Sequence, residues 1–350
     1  MHVDSLTQAV LGASVGYAIG GKTLGRKAAL WGIALGTLPD LDVLIPIADP
    51  VESFTSHRGF SHSLFVLTLI SPLIAEGIRK VHGLLRGNSI RLTFMVWLAL
   101  ITHPVLDSFT SYGTQLFWPI SKYPVALSSV SIVDPIYTVP LLIATILALI
   151  MKYGKRPYRA VIAALVISSI YLGYGLVLQN NIEQRIATEL EKQGISSQAL
   201  LVTPTLFNSM LWYVVAVDDN TAWYGFTSIF DAPDYSPKFE NLPRNSSLLG
   251  SLKDDPEIIR LMEFSHNFYA MKQENGLIIY SDLRMGIAPV FVFSFALAKL
   301  NGDLLKPTQR VTADIDTRVF NYLWQRIWNV DAERPVKDEK PRSQSHDITK

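Results

Sequence analysis

Six long apolar runs occupy most of the first 178 residues of this chain. This part holds only 13 Lys and Arg and 8 Asp and Glu, against 18 and 22 in the remaining residues. A membrane-spanning helix needs about 20 mostly apolar residues. The apolar half therefore predicts an α-helical membrane bundle of about six helices over residues 1–178. The six runs are 6–21, 28–47, 60–78, 92–109, 132–151 and 160–178.

Basic residues indicate how the bundle is oriented. Eleven of the 13 lie in three short connections, at 22–27, 79–91 and 152–159. Cytoplasmic loops of membrane proteins carry an excess of Lys and Arg, so we expect these connections on the cytoplasmic side of the inner membrane. The N-terminus and everything after residue 178 are then extracytoplasmic, on the same side as the connections 48–59 and 110–131.

The second half has the charge content of a soluble protein. It predicts an extracytoplasmic α+β domain over residues 179–334, followed by a flexible polar tail over 335–350. A net charge of +1 excludes a basic nucleic-acid coat, and the absence of cysteine excludes disulfides and thiolate metal sites. The predicted elements are a helix at 180–193 that ends at Gly194 and strands at 205–217, 221–230, 277–283 and 290–297.

The ionisable residues of the apolar half collect at the predicted outer helix ends. Seven of its eight acidic residues lie there, Glu76 being the exception, together with His57, His62 and His103. A charged group near hydrocarbon costs a few kcal/mol. The gathering therefore indicates a functional site, and any metal must be held by His, Asp or Glu.

Three short motifs supply the candidate ligands. His103 and Asp107 are four residues apart, which places both on one face of a helix, as metal ligands or as a hydrogen-bonded pair. Asp40 and Asp42 follow Pro39, which favours a broken helix that turns both toward one site, or else a surface loop. Gly59 permits a bend that brings His57 to the site of His62, on the following helix. Together these are three imidazoles and three carboxylates, enough for one or two ions.

The motifs resemble a known family. D-S-L-T-Q-A-V-L-G-A, P-D-L-D, H-R-G-F-S-H-S and H-P-V-L-D followed by Y-G-T-Q-L-F-W-P are similar to the YdjM-like family of membrane-bound proteins, to which metal-dependent hydrolase activity is ascribed. The resemblance covers roughly residues 1–180. It implies a divalent metal held by Asp40, Asp42, His57, His62, His103 and Asp107. A more distant similarity links the H-x-x-x-D helix to zinc-dependent phospholipase C and related nucleases, and raises the question whether His2 is also a ligand.

A hydrolytic mechanism assigns roles to the remaining groups. Zinc is the expected ion, with manganese and magnesium as alternatives, and an unligated carboxylate, Asp42 or Asp134, would accept a proton from bound water. Asp134 also fits a helix N-cap ahead of Pro135. Two arginines would bind anionic groups of the substrate. These are Arg58, which otherwise pairs with Glu52 or Asp49, and Arg284, which otherwise pairs with Asp282.

The position of the site suggests the substrate, a phosphoester of a membrane lipid or lipid-linked envelope molecule. A divalent-metal transporter is the main alternative, although transport sites belong near the bilayer midplane. A third alternative is a metal-stabilised assembly protein without catalysis. Trp212, Trp223 and His266 are expected to serve the core or surface of the soluble domain, and His82 to be solvated.

Overall fold

The computed structural model describes residues 5–314 and 316–335. Its N-terminal part is helical and its C-terminal part is rich in β-strands, as the sequence predicts. His2 and most of the predicted tail, 336–350, lie outside the described residues. The N-terminal helices are α1 (Ser5–Leu24), α2 (Lys27–Thr37), α3 (Pro50–Ser56), α4 (Leu64–Val81), α5 (Ser89–Ser108), α6 (Pro135–Ile150) and α7 (Lys155–Lys192).

Helices α1 and α2 pack backbone against backbone through glycines spaced four residues apart. These are Gly12 and Gly16 on α1, and Gly32 and Gly36 on α2. A Cβ atom on Gly16 would lie 2.5 Å from the carbonyl oxygen of Ala28. A Cβ atom on Gly36 would lie equally close to a backbone carbonyl oxygen of α1. Small residues at this spacing let membrane helices approach closely. Helix α1 is consequently central, also contacting α5, α6 and α7.

Only some of the predicted spans have the required length. Among the described residues, two helical segments are long and apolar enough to cross a membrane, Arg86–Ser108 and Lys155–Lys192, and Pro135–Ile150 is apolar but shorter. The predicted span 28–47 is broken, because α2 stops before Pro39 and the chain continues as a 3-10 helix, Pro39–Leu44. Eleven helical residues are about 16 Å long, roughly half of a bilayer core.

Helix α7 is one uninterrupted helix of 38 residues. It joins the predicted run 160–178 to the predicted helix 180–193, so the expected boundary after residue 178 falls inside a helix. Its N-terminal part packs in the bundle through Val161 and Ala164. Its C-terminal part packs against the β-region through Ile186 and Leu190.

The three basic connections meet at one end of the bundle. Trp31, near the start of α2, donates a hydrogen bond of 2.9 Å to Nε2 of His82, which follows α4. Arg26 reaches the carbonyl oxygen of Leu149 at the end of α6. His82 was expected to be solvated; it is half-buried, and the Trp31 indole is a hydrogen-bond partner that the sequence did not indicate.

Among the described residues, the C-terminal region contains two four-stranded antiparallel sheets and two α-helices. One sheet has the order β1-β2-β3-β4 and the other β10-β9-β6-β5, and a small pair, β7-β8, lies apart. Strands β1, β4, β5, β7 and β10 were not predicted. The elements are β1 (Ala199–Pro204), β2 (Leu211–Val217), β3 (Thr221–Ser228), β4 (Glu240–Pro243), α8 (Pro256–Phe264), β5 (Tyr269–Glu274), β6 (Leu277–Asp282), β7 (Gly286–Ile287), β8 (Val290–Phe291), β9 (Ser294–Lys299), β10 (Leu304–Val311) and α9 (Arg318–Trp328).

Strand β2 is an unbroken apolar run because both of its faces are buried. Trp212 and Val214 face the end of α7, whereas Tyr213 and Val215 face the core under α9. Alternate residues of a strand point to opposite sides, so a strand covered on both sides carries no polar face. Trp212 is therefore a core residue, as expected.

The loops of the helical region are built into the β-region. Val51 and Phe54 of α3, with Tyr112, belong to the same apolar core as Tyr280 and Phe295. Asp49 caps α3 with one carboxylate oxygen, and its other oxygen accepts hydrogen bonds from the amide and hydroxyl of Thr308, at 2.8 and 3.0 Å. Burial alone would raise the pKa of Asp49, but these hydrogen bonds bring it below its usual value.

Candidate metal centre

Two 3-10 segments and the bend that precedes the second of them bring the candidate ligands together. The Pro39–Leu44 3-10 helix after α2 carries Asp40, and a second 3-10 turn, Phe60–His62, carries His62 just before α4 rather than inside it. The bend before this turn uses a positive φ of 61° at Arg58. The next residue is Gly59, where a side chain is excluded because its Cβ atom would lie 2.7 Å from the carbonyl oxygen of Ser56.

Four side chains converge on one point. One ligand atom from each of Asp40, His62, His103 and Asp107 lies within 4.8 Å of the other three. The Nε2 atoms of His62 and His103 are 3.1 Å apart. Both lie 3.2 to 3.4 Å from Oδ1 of Asp40 and Oδ2 of Asp107. The corners of a tetrahedron with bonds of 2.0–2.1 Å, usual for zinc, are about 3.3 Å apart.

Hydrogen bonding fixes which nitrogen of each neutral imidazole faces this point. Nδ1 of His103 lies 2.5 Å from the carbonyl oxygen of Gly36, which only accepts, so Nδ1 must donate. The Ser61 hydroxyl donates to Asp42, so it must accept from Nδ1 of His62 at 2.9 Å. Both Nε2 atoms are then lone-pair donors that face two carboxylates, and a cation among them satisfies all four groups.

Burial separates one ligand from the other three. The side chains of His62, His103 and Asp107 are 0 to 3% exposed, whereas that of Asp40 is 18% exposed. Asp107 lies in the last turn of α5, at the end of the bundle opposite the basic connections. The group is therefore closed on the protein side and reached past Asp40.

A second layer of polar side chains holds Asp107. Nε2 of Gln8 on α1 donates to Oδ1 of Asp107 at 2.8 Å. Nε of Arg58 lies 3.3 Å from Oδ2, and its guanidinium stacks over the Tyr112 ring at 5.0 Å. Arg58 is buried and pairs with Asp107 rather than with Glu52 or Asp49, the alternative raised from the sequence.

Asp42 and His57 form a neighbouring pair outside the group of four. Oδ1 of Asp42 accepts from Nδ1 of His57 at 2.9 Å, and Oδ2 accepts from the Arg58 amide and the Ser61 hydroxyl. Nε2 of His57 then carries the lone pair, and this side chain is 11% exposed. The six predicted ligands thus divide into four that share one point and a hydrogen-bonded pair beside it.

Asp134 is the N-cap of α6, the alternative raised from the sequence. Oδ1 accepts from the amides of Ile136 and Tyr137, and Oδ2 accepts from the hydroxyls of Tyr171 and Ser209. A carboxylate has about four lone-pair sites. All of them are occupied, so Asp134 is not available to take a proton from water, and its expected role as a base is not supported by this geometry.

The named residues of the β-region have structural partners. Nε and Nη2 of Arg284 bind both carboxylate oxygens of Asp282, and both side chains are buried. His266 lies against the 109–134 connection, where Nε2 donates to the carbonyl oxygen of Pro124 at 2.9 Å. Trp223 packs at the edge of the core between α7 and β2.

Sequence reasoning missed Gln8, Ser61 and Gly36, which orient the ligands. Gln8 lies in D-S-L-T-Q-A and Ser61 in H-R-G-F-S-H-S, both within the motifs that carry the family resemblance. Their chemistry gave no signal, because neutral hydrogen-bonding residues are common in apolar helices. Gly36 contributes only its carbonyl oxygen, which no side-chain pattern reveals.

Comparison with known proteins gives four results. The chain is 23% identical to the uncharacterized protein YfhP of Bacillus subtilis over 229 residues, 65% of this chain and 67% of that protein. It is 32% identical to the inner membrane protein YbcI of Escherichia coli over 114 residues, 32% of this chain and 64% of that protein. No solved structure matches it. The family model described as YdjM inner membrane protein matches residues 3–182, and the chain belongs to this family.

Proposed function

We propose that this protein is a membrane-bound, metal-dependent hydrolase that cleaves a phosphoester of a lipid or lipid-linked molecule. The supporting observation is the convergence of four lone-pair atoms from Asp40, His62, His103 and Asp107 beside the partly exposed His57. Two imidazoles and two carboxylates suit zinc, and manganese is the alternative. A divalent ion held there would lower the pKa of a bound water and polarise a phosphoryl oxygen.

The protein's own contribution to the reaction is the Asp42–His57 pair. Asp42 holds the Nδ1–H of His57, which leaves Nε2 as the atom that accepts a proton from the attacking water. Three donors already occupy Asp42, which favours His57 over Asp42 as the base. Arg58 acts through Asp107, whose negative charge it balances.

We further propose six membrane crossings, with the N-terminus and the β-region extracytoplasmic. The support is the gathering of three basic connections at the bundle end opposite the metal centre. The shorter helices α2 and α6 would rely on their neighbours and on local thinning of the bilayer. A reporter enzyme fused after Gly194, where α7 has ended, should be active only outside the cytoplasm, and cytoplasmic activity would reverse the proposal.

Hydrolysis is tested with the full chain in lipid nanodiscs loaded with zinc or manganese. Bis-p-nitrophenyl phosphate, p-nitrophenyl acetate and phosphatidylglycerol separate phosphodiester from acyl ester cleavage. His57→Ala should lower turnover at least about 100-fold and retain bound metal, and Asp134→Asn should retain turnover. Asp42→Asn should resemble His57→Ala, whereas Asp40→Asn should lose metal. Metal uptake by proteoliposomes without hydrolysis of any substrate would favour a transporter instead.

A further inference from the structure

We infer that an aromatic surface of the β-region binds the boundary between lipid headgroups and acyl chains, in the bilayer leaflet on the side of the metal centre. The aromatic surface consists of Phe207, Phe230, Phe320, Trp324 and Trp328, which are 43 to 60% exposed. Large apolar side chains exposed side by side mark sites of contact with a protein or a membrane. The contact requires only that α7 crosses the bilayer, so neither hydrolysis nor the direction of insertion enters.

Helix α9 presents three of these rings on one face. Phe320, Trp324 and Trp328 are spaced four residues apart, so their side chains follow one another along the helix. The opposite face packs into the core with β2 and β3 through Leu323 and Ile327. Helix α9 therefore has a second apolar face, which the described residues of the chain do not cover.

Ring contacts join α9 to the turn after β3. The Phe230 ring stacks on that of Trp328, with centroids 4.7 Å apart and an interplanar angle of 20°. The Trp324 ring meets that of Trp328 at 6.4 Å in an edge-on arrangement. A buried salt bridge of 2.8 Å between Arg326 and Asp231 fixes the same turn to α9. The rings are therefore held together as one surface.

Phe207 extends the aromatic surface to the loop between β1 and β2. The amide of Ile229, next to Phe230, donates to the carbonyl oxygen of Met210 at 2.9 Å. This loop therefore lies beside the turn after β3. On its other side, the amide of Phe207 donates to the hydroxyl of Ser131, in the connection before α6, at 3.1 Å.

Helix α7 sets the level of this loop relative to the bilayer. It is one of the two described helices that are long and apolar enough to cross a membrane. The hydroxyls of Tyr171 on α7 and Ser209 in the loop both donate to Asp134 and lie 2.9 Å apart. Tyr171 lies seven residues before Leu178, where the apolar run ends, a distance of about 10 Å along the helix axis. Because helical side chains tilt toward the N-terminus, the loop lies at the level of the apolar run and not beyond it.

The chemistry of the surface fits the lipid boundary at this level. Trp is enriched where a membrane meets water, since its ring is apolar and its N–H can remain hydrated. The exposed Tyr174 and Val177 of α7 carry the lipid-facing surface of that helix past the same level, at 51 and 59% exposure. Because α7 holds the aromatic surface beside the bilayer, lipid is present there at a high effective concentration, which favours lipid over a separate protein.

The test uses the full chain, which contains no cysteine, with one nitroxide spin label at a time in phosphatidylethanolamine–phosphatidylglycerol vesicles. Collision rates with oxygen, which concentrates in lipid, and with a water-soluble nickel chelate give the depth of each label. Labels on Phe230→Cys and Trp324→Cys should lie about 5–10 Å into the boundary between headgroups and acyl chains. Val177→Cys is the reference in lipid. Asn220→Cys, in the exposed turn at the opposite end of β2 and β3, is the reference in water.

A second measurement asks whether the rings hold the surface in the lipid. With the label on Phe320→Cys, the double substitution Trp324→Ser and Trp328→Ser should move the label from the lipid boundary toward water. Gln325→Ser, which is also exposed on α9, should leave its depth unchanged.

Three outcomes would overturn the inference. In the first, the labels at 230 and 324 collide with the nickel chelate as often as the label at 220, which would place the surface in water. In the second, both reagents collide rarely with these labels, which would show that protein covers the surface, for example a second copy of the chain. In the third, the label at 320 keeps its depth after both indoles are removed. Circular dichroism of each variant confirms that it is folded.

Discussion

The Nε2 atoms of His62 and His103 face each other at 3.1 Å, each with its Nδ1 already committed to another acceptor. Two neutral imidazoles cannot satisfy one another in this arrangement, because neither Nε2 carries a proton. The carboxylates of Asp40 and Asp107 add two more acceptors. A divalent cation placed among these four groups would satisfy all of them.

Replacement of His62, His103 or Asp107 by Ala should therefore remove bound metal. We expect a loss of at least the 10- to 100-fold in affinity that follows the removal of outer partners of a metal site. Mass spectrometric metal analysis of protein purified in detergent measures it. His82→Ala, at the other end of the bundle, is the control. Full metal content in all three variants would leave the cluster as a hydrogen-bonded network.

Gln8→Ala tests the second layer. Its amide holds Oδ1 of Asp107 at 2.8 Å, so its removal frees the carboxylate to rotate. Metal affinity should fall about 10- to 100-fold, measured by competition with a chelating dye. Ser14→Ala, on the same helix but hydrogen bonded to Thr145, is the matched control. Equal affinity of the two variants would contradict the assigned role of Gln8.

Gly32→Ala tests the close approach of α1 and α2. The added methyl group meets the backbone of Gly12 and Ala13, so the helices must separate. Overpacking of this kind typically costs about 1–3 kcal/mol, and the apparent Tm in detergent should fall accordingly. Gly77→Ala is the control, because a Cβ there meets nothing within 4 Å. If both variants melt at the same temperature, the contact is less rigid than described.

The His266 contact predicts a pH dependence of stability. Burial, followed by the positive charge of Arg284, lowers the pKa of His266 below its usual value, against the hydrogen bond to Pro124 and the charge of Asp282, which raise it. As the pH falls, His266 therefore takes up a proton in the unfolded chain before it does so in the folded chain. Its contribution to the free energy of unfolding is complete above about pH 6.5 and declines below it.

The measurement compares Tm at pH 7.5 and pH 5.5 for the wild type and His266→Gln. The decrease should be larger in the wild type, because protonation places a positive charge on the half-buried His266 ring close to Arg284. Tyr123 also contacts the ring, at 3.3 Å. Identical decreases would show that protonation of His266 does not weaken the fold.

Some of the site follows from short-range rules and some does not. His103 and Asp107 share a helical face by spacing alone, and Pro39 predicts the break that presents Asp40. The separation of His57 from the group depends on the Ser61 hydroxyl, which orients His62, and on the positive φ of Arg58. Such details are set by contacts between distant segments and have no periodic signature.

The fold shows the same division. Apolar length correctly indicated helices in all six runs, but it did not reveal that α2 ends after 11 residues. The domain boundary predicted after residue 178 lies inside α7, because the change from apolar to polar composition there occurs without a change in secondary structure. Strand β10 was missed because its Lys306–Pro307 step and exposed residues do not resemble a strand.

The continuity of α7 also bears on how the protein is inserted during synthesis. Its C-terminal end, the β-region and the metal centre all lie at one end of the bundle, since Tyr171 of α7 contacts both Asp134 and Ser209. One rigid rod of about 57 Å joins them. In the six-crossing topology proposed above, the insertion of α7 alone would decide the side of both, so the compartment that receives the β-region would also receive the candidate metal centre.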